Sequence, residues 1–275
     1  MKPAPTSTPM AAMRVCALAA LGLIAAVPAF AVDEAELAKQ TQNPLAALIS
    51  VPFQFNYDHD IGPQQDGKKY YVNIQPVIPI TLNEDWNIIS RTILPIVKQE
   101  DFAPGLGTDS GVGDITQSFF FSPKKPSESG WIWGVGPVLL IPSGVDHISS
   151  EKWGAGPTGV ALKQQDGWTY GILANQIWSY AGSNGHPDVN ATYLQPFLSY
   201  TTHTHTSFGI NSESTYNRVT QQWSVPFNLF AQQLLKVDGQ IVALMAGVRY
   251  WADTPDNVGP EGWGLRFQAN FLFPK

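Results

Sequence analysis

With 275 residues of which only 14% are charged, against 44% hydrophobic and 12% aromatic, the chain is poorer in charge than an ordinary soluble domain, where about a quarter of residues are charged. A formal charge of −6, from 22 acidic and 16 basic residues, argues against nucleic acid as a partner. The single cysteine, Cys16, sits in the first apolar run, so the rest of the chain offers neither a disulfide nor a thiolate metal site.

The first residues carry an export pattern. Lys2 and Arg14 supply positive charge, 15–27 is an apolar run, and Ala29-Phe30-Ala31 offers small residues for cleavage, so residues 1–31 are expected to be a signal peptide cut after Ala31. Its removal would take the formal charge to −8, because it holds two bases and no acid. The run is shorter than the ~20 residues a membrane-spanning helix needs, and no later stretch approaches that length without a polar interruption. Residues 32–48 then bring helix formers, Glu34-Ala35-Glu36-Leu37-Ala38-Lys39, broken at Asn43-Pro44. They are expected to form a short helical segment that either stays in the periplasm or plugs a lumen.

From residue 49 onward the pattern switches to period two, the spacing of strands with unlike faces. In the first strand Val51, Phe53, Phe55 and Tyr57 alternate with Ser50, Gln54, Asn56 and Asp58. In 70–82, Tyr70, Val72, Ile74, Ile78 and Ile80 oppose Lys69, Asn73 and Gln75. Further strands are expected at 86–97, 113–122, 131–142, 156–165, 168–180, 190–201, 206–216, 222–235 and 240–253. The last strand sets Leu265, Phe267, Ala269, Phe271 and Phe273 against Arg266, Gln268 and Asn270. About twelve strands, each long enough for the ~9–11 residues of a tilted crossing, predict a transmembrane antiparallel β-barrel over 49–275.

Connection lengths point the same way. Segments 58–68, 99–112, 143–154, 181–189, 217–221 and 253–262 are the expected outer loops, while 83–85, 165–167, 202–205 and 237–239 are short turns, with 123–130 a longer exception. Outer-membrane barrels sort their connections by side in this manner. Aromatic residues, Tyr57, Trp86, Trp131, Trp168, Tyr216 and Trp263 among them, fall at strand ends, where two girdles would meet lipid headgroups.

A charge on the lipid face costs roughly 2–4 kcal/mol near the midplane. Asp58, Lys69, Arg91, Asp114, Lys163, Glu213, Arg249 and Arg266 are therefore expected to line the lumen and contact solute. Arg91 and Asp114 fall on neighbouring strands, and so do Arg249 and Arg266, which repel one another unless an acid or a ligand lies between them. Such charges form either a constriction with acidic and basic walls or a salt-bridged filling. No catalytic residue, cofactor or metal site is expected. Gly111-x-Gly113-Asp114 lacks the Lys-Ser/Thr of a phosphate loop, and His203 with His205 supply only two metal ligands. Acidic outer-loop residues such as Asp60, Asp66 and Asp101 suit a solvated surface, or divalent ions bridging to lipopolysaccharide.

Several stretches carry a family resemblance: Gln42-Asn43-Pro44 through Ile49-Ser50-Val51-Pro52-Phe53-Gln54, Arg91-Thr92-Ile93-Leu94-Pro95-Ile96, Gly111-Val112-Gly113-Asp114, and Gly134-Val135-Gly136-Pro137 through Ile141-Pro142-Ser143-Gly144. Asn175-Gln176-Ile177-Trp178-Ser179, Gln195-Pro196-Phe197, Asn211-Ser212-Glu213-Ser214, and Arg249-Tyr250-Trp251 through Gly262-Trp263-Gly264-Leu265-Arg266-Phe267 continue it over nearly the whole chain. Together they resemble a family of outer-membrane transporters named for a MetA-pathway of phenol degradation. The resemblance implies an outer-membrane barrel with a transport role, and it carries no agreed substrate and no functional residues.

The expectation is thus an outer-membrane channel or transporter for small solutes, aromatic or organic compounds among them, without catalysis. Its partners would be outer-membrane lipid and lipopolysaccharide, the solute, and the barrel-assembly machinery, for which Phe273 would serve as the terminal aromatic although Pro274-Lys275 follow it. Two other classes fit the pattern. One is a closed structural barrel filled by its own side chains and by 32–48. The other is an outer-membrane lipid-modifying enzyme, for which the chain shows no G-x-S-x-G elbow and places His59, His147, His186, His203 and His205 in loops or turns.

Overall fold

The computed structural model describes residues 34–102, 107–146 and 148–274; the expected signal peptide and His147 lie outside the described residues. Helix α1 (Glu34–Gln40) precedes β1 (Ile49–Ile61), β2 (Gly67–Ile74), β3 (Val77–Thr81), β4 (Trp86–Glu100), β5 (Thr108–Val112), β6 (Ile115–Pro123), β7 (Trp131–Ile141) and β8 (Lys152–Gln165). Then follow β9 (Trp168–Gly182), β10 (Asn190–Thr201), β11 (Thr206–Ser212), β12 (Ser214–Asn217), β13 (Gln222–Val237), β14 (Gln240–Asp253) and β15 (Gly262–Phe273). No helix among the described residues is long and apolar enough to cross a membrane.

Every strand pair is antiparallel, and β15 pairs with β1 while β9 pairs with β10, so the sheet closes on itself. Its fifteen segments make twelve crossings, because β2–β3, β5–β6 and β11–β12 are each one interrupted wall strand. The first interruption falls at Gln75-Pro76, where proline has no N–H for the ladder. The others fall at Gly113-Asp114 and at Glu213. The protein is therefore a closed twelve-strand antiparallel barrel with one short N-terminal helix, the architecture expected from the alternation.

Which face meets which solvent is read from β15: Phe267 is 48% exposed while its neighbour Arg266 is 2% exposed. Bulky apolar side chains on the outside and polar ones on the inside invert a soluble protein, and they suit a wall between hydrocarbon and water. A one-residue slip in any strand would exchange the faces, so the register is tightly specified. Tight turns reinforce it: Asp166-Gly167 and Asp238-Gly239 take φ of 50° and 82°, and 49° and 87°, the left-handed pair that a two-residue hairpin requires.

Outward aromatic residues pair across strands at both ends of the wall. Near the short turns Trp86 meets Trp133 and Trp168 meets Tyr200, with ring centroids 5.8 and 5.0 Å apart. Near the long loops Tyr57 meets Tyr70 at 4.9 Å, and Tyr216 meets Trp223 and Tyr250 meets Trp263 at 5.0 Å each. These are the cross-strand pairs of two girdles.

The N-terminal segment packs against the inner face at the short-turn end. Leu37, Ala38, Ala46 and Leu48 join Leu234 of β13, Ala243 of β14 and Leu272 of β15 in one buried cluster. Leu45 joins Ile89 of β4, Phe120 of β6, Val160 and Leu162 of β8 and Leu173 of β9 in another. Gly134 of β7 is part of the same fit, since a Cβ there would lie 3.1 Å from Leu45 Cδ2. Few polar contacts hold the segment: Gln164 Nε2 donates to the Lys39 carbonyl (2.9 Å), Gln232 Nε2 donates to Thr41 Oγ1 (2.7 Å), and His205 faces Glu34 (3.5 Å). Its chain reverses where Asn43 Oδ1 accepts from the Leu45 amide at 2.8 Å, the Asx turn that Asn43-Pro44 announces.

One expected lumen residue faces the other way. In β8 the inward positions are Thr158, Val160, Leu162 and Gln164, so Lys163 falls between them on the outer face, in register with exposed Trp131 and Tyr170. It stands two residues from the Gln165–Trp168 turn, where an amine on a flexible stem reaches the headgroup level and avoids the cost of hydrocarbon.

Candidate functional site

On the inner wall, successive inward positions of β13, β14, β15, β1 and β2 carry Asn228, Arg249, Arg266, Asn56 with Asp58, and Tyr71. Strand alternation turns all of them inward, and antiparallel register sets them side by side. Gly264, opposite Arg249, keeps the layer compact, since a Cβ there would lie 2.6 Å from Asp58 Oδ1.

Arg249, 1% exposed, is the hub. Its Nε donates to Asn228 Oδ1 (2.9 Å), Nη1 to Asp58 Oδ2 (3.1 Å) and to the Tyr71 hydroxyl, and Nη2 to Asn56 Oδ1 (3.0 Å) and Glu213 Oε2 (3.4 Å). Trp251 closes its far side, with the guanidinium 5.4 Å from the ring centre and the indole N–H donating to Asp58 Oδ1 at 3.0 Å. Arg266 donates to Glu213 through both terminal nitrogens, at 2.9 and 2.6 Å, and through Nε to Asn56 at 2.8 Å. This two-pronged pairing is the strong form of an arginine–carboxylate contact.

The acid required between the two arginines is Glu213. It reaches them because the wall strand breaks there: Ser212 and Ser214 on either side bond to each other at 2.7 Å, and the glutamate keeps the inward direction of Asn211. Four of the expected lumen residues, Asp58, Glu213, Arg249 and Arg266, thus form one network.

The other four behave differently. Arg91, inward on β4, donates to Gln75 Oε1 at 2.9 Å and does not meet Asp114. Asp114 is instead used by the β7–β8 connection, accepting from the Gly144 amide (3.2 Å), Ser149 Oγ (2.5 Å) and the Ser150 amide and hydroxyl (2.7 and 2.6 Å). Lys69 lies over the Tyr71 ring, 5.6 Å from its centre, beside Asp58 in register. Lys163 is outside, as described. Sequence reasoning passed over Tyr71 and Trp251, although each lies two residues from an expected inward charge, Lys69 and Arg249.

The network divides the lumen. On the long-loop side is a cavity of about 350 Å³ walled by Tyr71, Ile93, Ile177, Tyr193 and Trp251. On the short-turn side a cavity of about 190 Å³ is floored by Gln42, Asn43, Pro44 and Ala46 of the N-terminal segment. Gln54, Gln75, Arg91 and Glu213 line both. Two buried atoms on the lower wall, Ser199 Oγ and Asn270 Oδ1, have no hydrogen-bond partner among the described residues. No cluster of three or more metal-ligating side chains occurs among the described residues. Acidic outer-loop groups pair locally: Glu100 with Lys98 at 2.5 Å, Asp188 with Lys152 at 3.1 Å, and Glu261 with Gln65 at 2.7 Å.

Comparison with known proteins adds the fold class. No protein-family model and no curated protein matches the sequence. Among solved structures, an outer membrane channel from Pseudomonas putida F1 is similar at 16% identity and a TM-score of 0.65, over 83% of this chain and 96% of that one. The β domain of the Bordetella autotransporter BrkA (11% identity, TM-score 0.47, 83% and 100% covered) and the Escherichia coli outer membrane phospholipase A (9%, 0.45, 82% and 92%) are more distant. The chain therefore has the fold of an outer-membrane β-barrel.

Proposed function

We propose that this chain is exported by cleavage of residues 1–31, inserts into the outer membrane, and acts there as a passive channel for small organic solutes. The observation that carries the reading is the polar, charge-lined division of the lumen into two cavities inside a wall whose outer face is apolar. Ser199 and Asn270 favour a wet interior, because an apolar filling around an unpaired polar atom costs about 1–3 kcal/mol each. The likeness to the Pseudomonas channel and the sequence resemblance to the phenol-degradation transporters support the same role, with aromatic compounds as candidate solutes.

A second reading, a closed structural barrel, is favoured by one observation: residues 34–48 pack against the inner wall at the short-turn end. The channel reading takes that segment as a closure that withdraws. Purified protein in planar bilayers separates the two. Stepwise conductance, with solute uptake lost in a deletion strain, is expected; conductance at background together with unchanged uptake overturns the channel. Catalysis has no place in this proposal, and fatty-acid release from phospholipid by the purified chain would contradict it.

A further inference from the structure

We propose that Arg91 selects the solute, and that the solute is a small organic monoanion, a carboxylate carried on an apolar body. This rests on the channel reading and sharpens it. Around the division of the lumen three arginines, Arg91, Arg249 and Arg266, meet two carboxylates, Asp58 and Glu213. Lys69, beside Asp58 in register, lines neither cavity, and of the three arginines the contacts leave one without an acid. Arg249 is paired with Asp58 and Glu213, and Arg266 takes both oxygens of Glu213. Arg91 has a neutral partner, the Gln75 amide oxygen, and no ion pair within 4 Å among the described residues.

A guanidinium presents five N–H donors in a plane, and its hydrogen bond to Gln75 leaves a fork that fits a carboxylate. One arginine without an acid on the walls of the two cavities is matched by a monoanion; a dianion would be left half-neutralised in a confined space. The location is as telling as the charge. Arg91 is on the wall of both cavities, so a solute crossing from one to the other passes it. Beside it, the upper cavity offers Ile93, Ile177, Tyr193 and Trp251 to an apolar body, in a volume of about 350 Å³, at the small end of the ~300–1,000 Å³ typical of ligand sites. The chain as a whole is acidic, so this basic spot is a local choice and not the sign of the whole surface.

Benzoate and its neutral counterpart benzamide test the idea on the purified full chain in detergent, at fixed ionic strength, by titration calorimetry with intrinsic tryptophan fluorescence as a second readout. Benzoate is expected to bind at least tenfold more tightly than benzamide and to displace chloride. Arg91→Gln should remove that preference while leaving benzamide unchanged, and Arg91→Lys should restore only part of it, having a charge but no fork. Heat-dependent gel migration shows whether each variant is folded. Equal binding of the two probes, benzoate no better than chloride, or a folded Arg91→Gln variant with wild-type preference would each overturn the proposal. Bilayer recordings keep the two readings apart. Arg91-dependent benzoate binding without conductance removes the channel and leaves the site, whereas conductance without benzoate preference removes the site and leaves the channel.

Discussion

The Arg249 network of this lumen and its short-turn end are held by different forces. Around Arg249 nearly every contact is directional and made by a charged group: the buried Asp58, the half-buried Glu213, two arginines and a shell of amides and rings fix each other's positions. At the short-turn end the N-terminal segment is held by apolar packing of Leu37, Leu45 and Leu48 with few polar contacts. Apolar burial is non-directional and its loss leaves no charge stranded, while each member of an ionic network left behind is a buried unpaired charge. On the channel reading the ionic network is the fixed part of the conduit, and the segment is the part proposed to leave.

The largest effect should come from breaking the fixed part. Arg249→Ala leaves Asp58 buried without its cation, which costs about 3–5 kcal/mol when one partner of a buried pair is removed. Urea unfolding of the protein refolded into vesicles should show a midpoint lowered accordingly. A midpoint within error of wild type would mean that the network is hydrated and contributes little.

Displacing the movable part should change conductance more than stability. Leu45 is 6% exposed, and full burial of such a side chain contributes roughly 1.5–3 kcal/mol. Leu45→Asp replaces that gain with an unpaired carboxylate and should release residues 34–48, giving higher single-channel conductance and faster proteolysis of that segment. Gly134→Leu attacks the same contact from the wall, because its new side chain claims the space Leu45 fills. The unfolding midpoint of either variant should fall by less than that of Arg249→Ala. Unchanged conductance in both would place the closure elsewhere in the lumen.

The wall was legible in the sequence because lipid and water demand opposite side chains at alternate positions, and β1 and β15 obey without exception from Phe53 to Tyr57 and from Leu265 to Phe271. The charges of the network were legible for the same reason, since Asp58, Glu213, Arg249 and Arg266 have no tolerable place outside. Lys163 was misread because its outward neighbours in β8, Gly159 and Ala161, lack the bulk that marks a lipid face. Asp114 was expected among the lumen charges, on the strand beside Arg91, because strand adjacency is visible in a sequence and the fold of the β7–β8 connection that takes it up is not. Docking of the segment had a signal in hindsight: Leu162, Leu173, Leu234 and Leu272 sit at inward positions near the short turns, where a water-filled mouth would have polar residues.

Lys163 offers a smaller test of the same contrast between inner and outer wall. Lys163→Gln should leave reversal potentials in a salt gradient unchanged, while Arg91→Gln should move them toward cation preference. A shift of equal size in both variants would return Lys163 to the conduction path.

The smallest effect is expected at the rim, where charge is exposed instead of enclosed. The Lys152 ammonium, buried at the start of β8, hydrogen-bonds Asp188 in the β9–β10 loop, and together with the Ser179 hydroxyl it holds that carboxyl below the usual carboxylate range. A group with a depressed pKa contributes stability above its unfolded value, about 3.9 for aspartate, and loses it as pH falls through the folded value. The 183–189 loop should therefore stay clipped to β8 at neutral pH and loosen only in more acidic solution, and because Asp188 is solvent-facing the effect should shrink with added salt. Limited proteolysis of this loop across pH 2–6 reads the transition, and Asp188→Asn should abolish its pH dependence while leaving the lumen charges, and thus the reversal potential, as they were.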